Sequence, residues 1–140
     1  MGENPEHTMY RNTNYANRSQ YYLAYRFVQG ERVLSSNVSF FAPYKYLDLK
    51  PPQLKYEMTQ EGARWLVMVS AERFAAYVEL GLENGYARFS DNYFHLLPGE
   101  TKKVEIVEGD VPQEEMRRRL YARSLTDSFF MEQRLQECME

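Results

Sequence analysis

The sequence predicts an all-β domain, an antiparallel β-sandwich with a short helix near its C-terminus. Three observations carry the prediction. Apolar and polar residues alternate in seven or eight short stretches. These stretches recur at intervals of about ten residues. Gly, Pro, Asn and Asp punctuate the gaps between them. Each such strand has one apolar face, and where helices are few only a second sheet can cover it.

Residues Met1 to Ser19 are rich in Asn, Glu, Arg and Tyr, contain Pro5 and show no sustained period, so they read as an extended arm or an interdomain junction. The sandwich is expected over residues 20–129, followed by a tail over 130–140. Tyr21, Leu23, Tyr25 and Phe27 alternate with Gln20, Tyr22, Ala24 and Arg26, which predicts a first strand. A turn of Gln29, Gly30 and Glu31 leads to a returning strand over Arg32 to Phe41, with glycine at the left-handed position. Pro43, Pro51 and Pro52 bracket Tyr44 to Lys50, a crossover rather than a central strand.

Leu54, Tyr56 and Met58 alternate on the next strand, and Trp65, Val67 and Val69 on its hairpin partner. Val78, Leu80 and Leu82 form another, after which Asn84 and Gly85 have the composition of a tight primed turn into Tyr86 to Phe89. Tyr93 to Leu97 and Lys102 to Val107 read as a hairpin closed by Pro98 and Gly99, proline fixing one φ and glycine taking the positive one. Asp110 to Arg119 reads as helix, with Pro112 near its first turn and Glu114 and Glu115 where the helix dipole favours acids. Leu120 to Leu125 fits either a continuation of that helix or a last strand.

At 140 residues the chain is one domain's worth, too short for a barrel enzyme of about 250 residues. Aromatics make up 15% of it, and the single Cys138 forms no internal bridge. Twenty acids against 17 bases give a net charge of −3, so no overall basic field draws it to nucleic acid or to an anionic membrane. No apolar run reaches the ~18 residues of a membrane span, and the first residues lack the pattern of a signal peptide, so no address is expected in this chain.

The most distinctive string is FSDNYFHLLPGE, Phe89 to Glu100. Asp91 and Asn92 suit backbone bonding in a turn, Tyr93 to Leu97 a strand, and Pro98 with Gly99 the next turn. The competing reading makes Asp91 or His95 an acid or base, but His95 has no visible partner. Trp65 reads as a buried core residue beside Val67 and Val69, against the alternative of a sugar-stacking platform. Tyr22, Tyr44 and Tyr93 are the further candidates for such stacking. Arg117, Arg118, Arg119 and Arg123 read as a salt-bridged face with Glu114 and Glu115 rather than a nucleic-acid patch.

Asn17 with Ser19 and Asn37 with Ser39 match the glycosylation acceptor triplet, which means little without a secretory context. His7, His95 and Cys138 lack a metal-ligand spacing, and no phosphate-binding loop or nucleophile elbow is present. No catalytic residue, cofactor or metal is therefore expected.

FSDNYFHLLPGE, together with VSAERFAAYVEL beginning at Val69, closely resembles the C-terminal immunoglobulin-like domain of the β-mannosidases of glycoside hydrolase family 2. FFAPYKYLDL, Phe40 to Leu49, resembles that domain's entry, and RSLTDSF, Arg123 to Phe129, its close. The sequence departs from the family at His95, where an acidic residue is common. The resemblance implies a non-catalytic accessory domain of a multidomain exo-glycosidase that removes terminal β-linked mannose. In such enzymes a separate barrel carries two catalytic carboxylates, about 5 to 5.5 Å apart for retaining chemistry, and no residue here matches either. It also places Leu120 to Leu125 as the final strand. The implied partners are the parent's other domains, with mannan-type carbohydrate as a second partner if the domain is instead an independent carbohydrate-binding module. A periplasmic or secreted parent is compatible with that reading.

Overall fold

The computed structural model describes residues 20–43 and 47–128. The expected arm and tail, Tyr44, His7, Cys138 and the Asn17 triplet lie outside the described residues. The chain divides into two compact units, Met1–Leu49 and Lys50–Glu140.

Within the first unit, β1 (Tyr22–Gln29) and β2 (Arg32–Phe40) pair antiparallel as a two-stranded sheet of their own. Gln29 lies opposite Arg32, so the loop is two residues, Gly30 and Glu31, and Gly30 has φ of +61°. The register shifts between Phe27 and Val28.

The second unit is a sandwich of seven antiparallel strands. One sheet holds β3 (Leu54–Glu61), β4 (Arg64–Ala71), β8 (Thr101–Gly109) and β6 (Ala87–Phe89), in that order. The other holds β7 (Phe94–Leu96), β5 (Ala75–Leu82) and β9 (Leu120–Arg123). A split of seven strands into four and three is the immunoglobulin-type plan. Met58, Val67, Val69 and Val104 from the first sheet meet Val78, Leu80, Phe94 and Leu96 from the second in one buried cluster. Period-two alternation explains it, since every second residue of a strand faces the same way. The outer face of the four-stranded sheet is charged, with Lys103 bound to Glu61 at 2.6 Å and Arg64 to Glu105 at 3.6 Å.

Two of the expected hairpins are not hairpins. The Leu97–Glu100 turn forms as its chemistry dictates: Gly99 has φ of +74°, and the Glu100 amide donates to Leu97 O at 3.0 Å. It passes the chain from β7, which pairs with β5, to β8, which pairs with β4 and β6. Asn84 and Gly85 likewise lead from one sheet to the other. Only Asn84, at φ of +51°, is left-handed there, whereas a primed type I turn needs both residues so.

The helix α1 runs Gln113–Arg119 with Pro112 at its N-cap. It ends where Leu120 turns extended, φ −61° and ψ 131°, so β9 starts without a loop: the strand reading holds for Leu120–Arg123 and the helix does not continue past Arg119. Met116 and Leu120 are both buried. RSLTDSF contains half of a capping box: the Ser124 amide donates to Asp127 Oδ2 at 2.6 Å, while the Asp127 amide donates to the backbone Ser124 O at 3.0 Å rather than to the serine side chain, and residues 125–128 form a helical turn.

Candidate functional site

FSDNYFHLLPGE is a structural string. Ser90 pairs with Glu105, its amide donating to Glu105 O at 2.8 Å and its Oγ accepting from Glu105 N at 2.9 Å. Asp91 accepts from the Asn92 amide at 2.8 Å and binds Lys102 Nζ at 2.5 Å. Asn92 bonds to both backbone groups of Leu80.

His95 has a different task. The register of β5 against β7 shifts between Ala75 and Val78, and Tyr77 within that bulge has φ of +50°. A bulge leaves a backbone group outside the ladder. Here the Tyr77 amide donates to His95 Nδ1 at 3.1 Å, and the two rings meet edge-on with centroids 4.5 Å apart. A carboxylate at this position could accept the same amide, which reconciles histidine here with the acid common in the resembling family. Burial holds the His95 imidazole below its ordinary pKa of 6.5, keeping it the neutral acceptor.

Of the tyrosines considered for stacking, Tyr22 and Tyr93 are described. Tyr22 is partly buried, and burial raises its pKa. Tyr93 is exposed but left-handed at φ of +56°, and its hydroxyl donates to Glu79 at 3.4 Å. The negative charge of Glu79, together with desolvation, raises its pKa.

Trp65 is partly buried and packs against the core cluster, at its margin rather than within it. Its inward neighbours on β4, Val67 and Val69, are fully buried. Trp65 lies near the start of the strand, opposite Gln60 on β3 and Ile106 on β8, and packs against the margin of the core. Its remaining surface lines an open cleft of about 610 Å³ with Gln60, Gln113, Glu114, Arg117 and Arg118. The four helical residues lie at i, i+1, i+4 and i+5, adjacent positions on one side of α1. Met116 projects from the same helix into the core and thereby fixes which side faces the cleft.

The expected salt-bridged arginine face is present in part. Glu115 pairs with Arg118 at 3.6 Å and with Arg119 at 3.2 Å, Arg119 also donates to Asn84 O at 2.8 Å, and the Arg123 guanidinium lies 4.2 Å from the Tyr121 ring centroid. Arg117 makes no ion pair among the described residues. Among the described residues Glu114 is the one carboxylate lining the cleft, whereas glycoside hydrolysis uses a pair. Among the described residues no cluster of His, Cys, Asp and Glu could hold a metal ion.

The sequence singled out Trp65, and Glu114, Arg117 and Arg118 as a salt-bridged face, but did not bring them together as a cleft. Their stripe was visible in the spacing of α1, yet nothing local says which strand that stripe meets.

No curated protein matches the chain. The Ig-fold domain of mannosidases matches residues 49–128, more than half of its length and nearly the whole sandwich unit. The chain belongs to the mannosidase Ig-fold domain family.

Proposed function

We propose that this chain is a non-catalytic accessory domain of a multidomain β-mannosidase of glycoside hydrolase family 2, packing on the other domains of its parent. The family supports a mannosidase context. The observation that carries the packing is on the first hairpin. Tyr21, Leu23, Tyr25 and Phe27 are 54%, 50%, 47% and 66% exposed, and their alternation sets them on one face. The residues opposite Leu23, Tyr25 and Phe27 are Ser39, Asn37 and Ser35, too small and polar to cover them. A two-stranded hairpin is marginally stable alone, and a contiguous exposed apolar row marks an interaction surface.

The test uses a β-mannosidase produced without its C-terminal domain, from the same organism. This chain is expected to bind it and raise its melting temperature, and the double variant Tyr25→Ser, Phe27→Ser to fail. The purified chain alone is expected to release no aryl group from an aryl β-mannoside. Undiminished binding by the double variant would overturn the packing role. Hydrolysis by the chain alone that is lost on Asp91→Asn would overturn the non-catalytic one.

A further inference from the structure

We infer that the Trp65 cleft is a binding subsite for a neutral hexopyranose oligosaccharide. The inference stands on the cleft alone and does not depend on the identity of the parent enzyme.

The volume of about 610 Å³ falls within the roughly 300–1,000 Å³ typical of small-ligand sites, so the cleft is large enough for a short glycan. Trp65 forms its apolar wall. Trp65 packs against the core and also lines the cleft, an aromatic surface of the kind that covers the C–H face of a pyranose. Around it stand two amides, one carboxylate and two guanidinium groups. A sugar hydroxyl both donates and accepts, and this set offers both: Glu114 only accepts, Arg117 and Arg118 only donate, Gln113 does either, and Gln60, whose Nε2 gives one hydrogen to Gly62 O at 3.0 Å, keeps its other hydrogen and its oxygen.

The same set disfavours other ligand classes. A phosphate or polyanion meets the Glu114 carboxylate, and half of the guanidinium charge is already engaged, because Arg118 pairs with Glu115. A cation meets two arginines. A purely apolar ligand would strip water from five polar side chains and replace none of their hydrogen bonds. A neutral polyhydroxylated ring with one apolar face satisfies both the wall and the rim.

Trp65 is the chain's only tryptophan, so its emission reports from inside the proposed site. The full chain is titrated with mannotriose, with cellotriose and with inorganic phosphate, following tryptophan emission and heat of binding. A saturable shift in emission at millimolar trisaccharide is expected, with no response to phosphate. Arg117→Ala and Gln113→Ala change exposed side chains and should leave the melting temperature unchanged while weakening binding at least fivefold. Should Arg117→Ala lower the melting temperature, Arg117→Lys supplies the same comparison with the charge kept. Emission and heat that stay flat through the millimolar range would overturn the inference. So would binding that Arg117→Ala and Gln113→Ala leave intact, or a response to phosphate alone.

Discussion

Asn92 pairs with Leu80 as a strand residue would: its Oδ1 accepts from the Leu80 amide at 2.8 Å and its Nδ2 donates to the Leu80 carbonyl at 2.9 Å. The side-chain amide thereby extends the ladder of β5 beyond Phe94, the first residue of β7. Only asparagine, or glutamine at a different reach, offers a donor and an acceptor in one plane. Asn92→Asp retains the acceptor but sets a carboxylate oxygen against the Leu80 carbonyl. We expect Asn92→Asp and Asn92→Ala each to cost about 1–3 kcal/mol, the range for stranding partly buried backbone groups. Urea unfolding checks this, and a loss under about 0.5 kcal/mol for both variants would show that water replaces the amide.

Leu80 and Asn92 also show what was legible in the sequence. Period-two alternation identified the strands, and turn chemistry located Pro98 and Gly99, because both depend on neighbours in the chain. Which sheet a strand joins depends on distant partners, and the Pro98–Gly99 turn serves a crossover as well as a hairpin. The Leu120 ambiguity arose because a helical and an extended pattern overlap where α1 runs directly into β9. Trp65 lay on the expected face of β4, but its burial depends on how far along the strand it sits. The cleft was not legible, since it needs α1 placed against β3 and β4.

Gly99→Ala tests the crossover turn. Gly99 has φ of +74°, and the space around it is open, so strain in the backbone is the whole effect. A left-handed alanine costs roughly 1–2 kcal/mol. The expected result is a lower urea midpoint with an unchanged denaturant slope.

The Asp127 cap on Ser124 predicts a similar loss from a different cause. Asp127→Ala removes the acceptor for both the Ser124 amide and the Ser124 hydroxyl, and Ser124 is buried. A cap of this kind is worth about 1 kcal/mol. Asp127→Asn, which keeps an acceptor oxygen, should recover most of it in the same unfolding measurement.

His95 makes stability depend on pH. Burial depresses its folded pKa below 6.5, so between the two values the unfolded chain binds the proton and the folded chain resists it. Stability contributed by neutral His95 is therefore complete above pH 6.5 and declines as pH falls toward the depressed folded value. Glu61 and Glu72, held below their ordinary 4.5 chiefly by hydrogen bonds to Lys103 and Lys55, act in the same direction but only at lower pH. Thermal melts of wild type and His95→Gln between pH 7.5 and about 5 separate the contributions. Glutamine can accept the Tyr77 amide without titrating, so its melting temperature should vary less over that interval. An equal slope in both proteins would assign the dependence elsewhere.

Trp65→Ala distinguishes a cleft wall from a core residue. Truncating a fully buried aromatic costs about 3–5 kcal/mol, part of it from the empty cavity left behind. Trp65 is partly buried, and the space vacated by its ring would join the cleft and fill with water rather than stay empty. The cavity contribution therefore largely vanishes, leaving the area that the indole covers on the core cluster. We expect a loss of about 2 kcal/mol, with Trp65→Phe losing less because the smaller ring still covers the margin of the core. A loss near 4 kcal/mol would mean that the indole is enclosed in solution and the cleft has no aromatic wall. A negligible loss would mean that the ring does not rest on the core, so that nothing holds it flat to receive a sugar.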